Sequence, residues 1–150
     1  PAIRRCSFRG NSAYGWGGAV YCSGDAITAV LTKCEFIGNS ARVGGALAIN
    51  GAAPVVDDAE FLRNRADESG GALYLSLGAG VTVSDSRFES NSAQVGKIAT
   101  VGGGCSAVLR CTNADASLIQ GVGNVVWDDE ACDQVSAAAM SWGQLKTLYR

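Results

Sequence analysis

One octapeptide pattern occurs four times in this chain. Cys6-Ser-Phe-Arg-Gly-Asn11-Ser-Ala returns as Cys34-Glu-Phe-Ile-Gly-Asn39-Ser-Ala, as Ala59-Glu-Phe-Leu-Arg-Asn64-Arg-Ala and as Ser86-Arg-Phe-Glu-Ser-Asn91-Ser-Ala. A glycine signal follows each copy: Gly17-Gly18-Ala-Val, Gly44-Gly45-Ala-Leu, Gly70-Gly71-Ala-Leu and, in degraded form, Gly96-Lys-Ile. Successive asparagines stand 28, 25 and 27 residues apart. A period of that size makes each repeat one supersecondary unit, which buries its apolar face only by stacking on its neighbours.

Inside a repeat the apolar period is two, not 3.6, so the unit is built of strands. Val81, Val83, Ser86 and Phe88 alternate, with a slip at Ser84–Asp85 that marks a corner. Val20/Cys22, Leu47/Ile49 and Leu73/Leu75 form a second alternating set after the glycines. Three short strand segments per repeat are predicted, each too short to form a sheet alone. Stacked as turns of a solenoid, like segments lie about 4.8 Å apart and equivalent residues become ladders. Phe8, Phe36, Phe61 and Phe88 then form an internal stack, each contributing roughly 1.5–3 kcal/mol by burial. Asn11, Asn39, Asn64 and Asn91 fall at the next corner, where Asn tolerates the left-handed conformation and can bond neighbouring backbone. Ala13, Ala41, Ala66 and Ala93 face a place too tight for larger side chains, and the glycine pair admits the following corner.

The linked Phe-x-x-Asn and Gly-Gly-Ala-[Leu/Val] tetrapeptides resemble the repeats of the polymorphic outer membrane proteins of chlamydiae. The resemblance covers residues 1 to about 100. It implies a right-handed parallel β-helix of the pectin-lyase-like type, and a surface-exposed, adhesin-like or structural passenger with no catalytic residues to carry over. The glycine pair is lost at Gly96-Lys97, and both tetrapeptides are missing after residue 100.

The expected fold is therefore all-β: four regular coils over 1–100, one irregular coil over 101–127, then an acidic loop and a short C-terminal α-helix over 128–150. Ala107 and Leu109 continue the period of Val81 and Val83. Asp128 to Asp133 reads as a solvated acidic loop, because it lacks the spaced ligands and glycine of a calcium loop. Val135, Ala138, Ala139, Trp142, Leu145 and Tyr149 recur at helical steps, which suits either a cap over the solenoid's end or a docking helix. Pro1-Ala-Ile enters a repeat strand directly, so the N-terminal coil should expose strand edges and core side chains. A start at Pro1 without a signal-peptide pattern leads to the expectation of a piece of a longer protein.

Six cysteines leave the pairing open. Cys6 and Cys34 share a repeat position, within disulfide range across adjacent coils. The equal alternative is two buried thiols in a ladder with Ala59 and Ser86. Cys111 and Cys132 could tether the final coil to the C-terminal segment, and Cys22 replaces Ile49 and Leu75 as a core thiol. Structural use of cysteine favours a secreted, cell-surface or organelle-luminal setting.

The composition narrows the chemistry. There is no His, which removes Ser-His-Asp and Cys-His arrangements and most zinc sites. A net charge of −2 without a basic cluster argues against nucleic acid. No apolar run reaches the roughly 18 residues of a membrane span. No cofactor and no metal are expected. The best catalytic candidate is the stack of Asp58 on Asp85, with Arg5 and Lys33 in the same column and Glu35 and Glu60 beside them. Its alternation of sign reads as a solvated ion-pair ladder rather than an acid–base pair.

Binding is the better class. Tyr21 and Tyr74 alternate with inward residues and should share one outer face, two coils apart, with Tyr14 and Trp16 nearby. Such aromatics suit a protein partner or a carbohydrate. The expected function is a non-catalytic structural or adhesive β-solenoid module of a larger protein. The alternatives are an accessory subunit docked on an assembly, through the open first coil or the Trp142/Leu145/Tyr149 face, and a polysaccharide-active domain.

Overall fold

The computed structural model describes residues 1–128 and Cys132. It is an all-β parallel solenoid of about four turns, and its one short helical element in the described residues is a single 3₁₀ turn at Ala116–Leu118. The helix expected over residues 134–149, with Trp142, Leu145 and Tyr149, lies outside the described residues.

Each turn has four sides, not the three read from the sequence. The first sheet stacks Ala2–Arg4, Val30–Thr32, Val55–Asp57, Gly80–Ser84, Ser106–Arg110 and Asn124–Asp128 in parallel. The second stacks Ser7–Arg9, Glu35–Ile37, Glu60–Leu62 and Arg87–Glu89. The third, missed in the sequence, pairs Ser40–Val43 with Arg65–Ser69 and continues as single bridges to Ser12, Trp16, Ser92 and Val95. The sequence hides it because the strands begin within the Asn-Ser-Ala corner and bury only Ala41 and Val43 in one and Ala66 in the other, too little for a recurring alternation. The fourth stacks Val20–Ser23, Leu47–Asn50, Leu73–Ser76, Ala99–Val101 and Ile119–Gly121.

Register follows the repeat. Phe8 pairs with Phe36, Phe36 with Phe61, and Phe61 with Phe88. The rings stack at 5.1, 4.8 and 4.9 Å, with interplanar angles of 5°, 4° and 7°. Phe36 and Phe61 are fully buried with Leu31, Leu47, Ile49, Leu73, Leu75, Val56 and Val83. Phe8 and Ile3, on the first coil, are only partly buried. Val81 pairs with Ala107 and Val83 with Leu109.

The corners are set by inter-coil hydrogen bonds. Arg5, Lys33, Asp58, Asp85 and Cys111 all take φ near +50°, at the bend between the first and second sides. Such a conformation costs a non-glycine residue on the order of 1 kcal/mol. The next coil offsets this, since the amides of Arg5, Lys33, Asp58 and Asp85 donate to Thr32, Asp57, Ser84 and Arg110 carbonyls at 2.9–3.1 Å. At the following corner the left-handed residue is the one before each Asn: Gly10, Gly38, Arg63 and Ser90. The asparagines are therefore not there for their backbone tolerance. Their side chains form the ladder.

That ladder has a fixed rule. Each Oδ1 accepts the backbone N–H and the Nδ2 of the preceding coil's Asn, at 2.9–3.1 Å for Asn39, Asn64 and Asn91. Each Nδ2 also reaches a Phe carbonyl of the preceding coil: Asn39 to Phe8, Asn64 to Phe36, Asn91 to Phe61. Asn113 caps the phenylalanine side instead. It donates to the Phe88 carbonyl at 2.9 Å and accepts the Phe88 N–H at 2.6 Å. Its amide takes the place of a fifth strand on the second sheet, whose last strand would otherwise leave backbone groups unmet.

The glycine pairs mark close backbone approach. A Cβ on Gly18, Gly45 or Gly71 would run into the carbonyl of Gly45, Gly71 or Lys97 on the next coil. The first member of each pair, Gly17, Gly44, Gly70 and Gly96, holds φ between +60° and +68°.

Candidate functional site

Three aromatic residues gather on the outer face of the fourth sheet. Strand alternation points Val20 and Cys22 inward and Tyr21 and Ser23 outward. Tyr21 pairs with Ala48 and Ala48 with Tyr74, which leaves the tyrosines two rungs apart, as the spacing predicted. Trp16, from the corner before Gly17, brings its ring within 5.8 Å of Tyr21 and 5.5 Å of Tyr74. A ring that close to both lies over the small Ala48 side chain, between them. Tyr21 is about half exposed, at 48%, and Trp16 and Tyr74 are half-buried. Tyr14 stands fully in solvent, and no ring contact joins it to the other three.

Beside the aromatics runs a row of polar side chains in register: Ser23, Asn50 and Ser76. Asn50 donates its amide to the Tyr21 hydroxyl at 3.2 Å. With its oxygen already accepting, that hydroxyl keeps its proton to donate outward. Ser76 Oγ is the one buried side-chain polar atom in the described residues without a hydrogen-bond partner. Sequence reasoning missed Asn50 and Ser76; their place two residues after Ala48 and Tyr74, on the same outward phase, was the available signal.

Charge is distributed unevenly around the solenoid. None of the five strands of the fourth sheet contains Asp, Glu, Lys or Arg. The other sides carry the ion pairs. Arg9 pairs with Glu35 and Arg87 with Glu89 on the second sheet, Arg42 with Glu68 on the third, and Arg110 with Asp128 on the first. The Arg9 guanidinium and the Ser7 hydroxyl hold the Glu35 carboxyl below the usual carboxylate range.

The carboxylate stack sits at the left-handed corner. Asp85 is raised, first by partial burial and then by the charges of Asp57 and Asp58. Asp57, which the sequence stack left out, weighs more than Asp58. It accepts a hydrogen bond from Ser84 at 2.7 Å. Asp58 pairs with Lys33 at 3.9 Å, both well exposed. A hollow of about 430 Å³ on the neighbouring first coils is lined by Arg4, Arg5, Thr32 and Lys33. Among the described residues no three His, Cys, Asp or Glu side chains form a metal-holding group.

The cysteines divide into one bridge and four thiols. Cys111 and Cys132 are joined, with Cα atoms 5.5 Å apart. Cys6 and Cys34 are free, which corrects the disulfide reading of that pair. In a parallel register equivalent side chains point the same way rather than at each other. Cys6 Sγ turns to the Arg4 carbonyl at 3.3 Å, and Cys34 Sγ to those of Thr32 and Ile3 at 3.5 and 3.6 Å. Cys22 is a buried core thiol in register with Ile49, and burial pushes its pKa up.

No helix of the described residues is long and apolar enough to cross a membrane. No curated protein and no solved structure matches the chain. Residues 5–23, which hold Phe8-x-x-Asn11 and Gly17-Gly18-Ala-Val20, match the Chlamydia polymorphic membrane protein repeat, so the first coil is similar to that repeat, and the next two coils carry the same two tetrapeptides.

Proposed function

We propose that this chain is a non-catalytic structural and adhesive module of a surface protein, a right-handed β-helix of the pectin-lyase-like type. The observation that carries the reading is the unbroken pair of internal ladders, Phe8 to Phe88 and Asn11 to Asn91. They devote the whole repeat to a stiff column, whose first rungs, Phe8 and Asn11, lie in the segment similar to a membrane-protein repeat. A stiff column is suited to holding a face away from an anchoring surface. The charged corner at Asp57, Asp58 and Asp85 serves solubility and coil register in this reading.

The test is adhesion of beads coated with the purified chain to cell monolayers and to immobilised glycans, against beads coated with a ladder-broken Phe61→Ala chain. Retention well above the control is expected. Retention equal to the control sinks the adhesive reading. A sugar-cleaving activity that disappears in Asp58→Asn/Asp85→Asn overturns the non-catalytic one.

A further inference from the structure

We infer that the Tyr21–Trp16–Tyr74 strip binds an uncharged, extended β-1,4-linked glycan, laid along the solenoid axis. The inference rests on the adhesive reading and names its ligand.

Three observations converge. The first is spacing. Tyr21 and Tyr74 are two rungs apart through Ala48, about 10 Å along the axis. That is close to the advance of a disaccharide unit in an extended β-1,4-linked chain. Trp16 stands in the interval, tilted 51° from Tyr21 and edge-on to Tyr74 at 80°, so the three rings form a stepped apolar strip. Pyranose rings offer C–H faces to such surface.

The second is hydrogen-bonding chemistry. Asn50 occupies one lone pair of the Tyr21 hydroxyl and leaves its proton to donate. Ser23 and Asn50 run parallel to the aromatic strip, two residues after Tyr21 and Ala48, and supply a hydroxyl and an amide on adjacent rungs. Ser76 Oγ, next in the row, is buried beneath the face. Sugar hydroxyls both donate and accept, which is what such a row asks of a ligand.

The third is charge. The fourth sheet is the one side of the column with no ionisable Asp, Glu, Lys or Arg in its strands, while the other three carry ion pairs. The strands themselves hold no cation to offset the desolvation of an acidic polysaccharide. A neutral glycan carries no such cost.

The probe is cellohexaose, titrated into the purified chain by calorimetry, with a galacturonic acid hexamer as the acidic counterpart. Tyr21→Ser and Tyr74→Ser are the variants, each compared with the parent by circular dichroism and melting to establish that the fold is kept. Tyr14→Ser, off the strip, is the control. Cellohexaose should bind, with affinity unchanged by added salt. Either strip variant should weaken it at least about tenfold, and Tyr14→Ser should not. No heat with cellohexaose, preference for the acidic hexamer, or equal affinity in the strip variants overturns the inference. So does capture of a deglycosylated protein through the same two tyrosines, which would make the strip a protein-binding face. Beads that still adhere while cellohexaose neither binds nor competes leave the adhesive module standing and remove the glycan.

Discussion

Asn64 Oδ1 accepts two hydrogen bonds from Asn39, one from its backbone N–H and one from its Nδ2, both at 3.0 Å. Both residues are fully buried. One amide thus satisfies a backbone donor that no strand partner reaches, and its own Nδ2 meets the Phe36 carbonyl at 2.8 Å. Asn64→Ala strands the Asn39 N–H and the Phe36 carbonyl inside the column. At about 1–3 kcal/mol for each of the two buried groups left unmet, the loss should reach roughly 2–6 kcal/mol in urea unfolding. Asn11→Ala, at the exposed end, should cost under about 1 kcal/mol. Equal losses at the two sites would contradict the ladder.

The phenylalanine stack gives a second gradient. Phe61 has a ring neighbour on each side at 4.8 and 4.9 Å and no exposure. Phe61→Ala should cost about 3–5 kcal/mol. Phe8 has a neighbour on one side only and is partly exposed, so Phe8→Ala should cost distinctly less. The check is the difference in denaturation midpoint at constant m-value.

Two glycines separate space from conformation. A Cβ at Gly45 meets the Gly71 carbonyl and the Arg65 backbone, neither of which can yield. Gly45→Ala should prevent folding or lower the melting temperature by many degrees. Gly38 has φ +64° but open space around it, and Arg63 and Ser90 take the same conformation in later coils. Gly38→Asn should therefore change stability by less than about 1 kcal/mol. A Gly45→Ala chain that melts with the parent would refute the close approach.

Acid titration should show two opposed contributions. Glu35 is depressed, so it binds fewer protons folded than unfolded; its stabilisation is present above the unfolded value and is lost as pH falls through the folded one. Asp85 is raised, so the folded state binds its proton more readily; its contribution is present at low pH and is lost as pH rises through the folded value. Asp85→Asn should remove that loss and leave the chain more stable than the parent at neutral pH. Glu35→Gln should flatten the acid limb. Asp85→Asn less stable than the parent at pH 7 would show that the carboxylate serves a contact the corner geometry does not include.

Reduction should be felt at one place. The Cys111–Cys132 bond spans 21 residues and ties Cys132 to the last left-handed corner. Reducing it should cost about 3 kcal/mol through the freedom returned to the unfolded chain. Cys6→Ser should leave the redox dependence intact, since Cys6 is a free thiol. A Cys6→Ser chain that loses this dependence would reinstate the other pairing.

What was legible in the sequence is what one coil repeats from the last. Phe8 with Phe36, Val83 with Leu109 and Cys22 with Ile49 are partners because each lies one period from its equivalent. Stacking replicates a local code, so the period alone aligns the ladders and identifies the inner face. The Phe, Asn and glycine positions, the bend at Asp85 and the outward tyrosines followed from that. The short third side did not, because Ala41 and Val43 in one strand have only Ala66 to match them in the next. The side-chain ladder of the asparagines was legible too, because their period stacks one amide on the next corner's N–H; that the left-handed residue is the one before each Asn was not.

Tertiary structure decided the contacts that join non-equivalent positions. Trp16 settles between Tyr21 and Tyr74, Asn113 stands in for a missing strand at Phe88, Asp57 reaches Asp85, and Cys132 returns to Cys111. None is one repeat apart from its partner in an equivalent slot. Their meeting depends on how far each corner turns and which way each side chain leaves it. A repeat sequence determines the translation from coil to coil, while the faces, ends and corners of the column are settled only when the coils close in three dimensions.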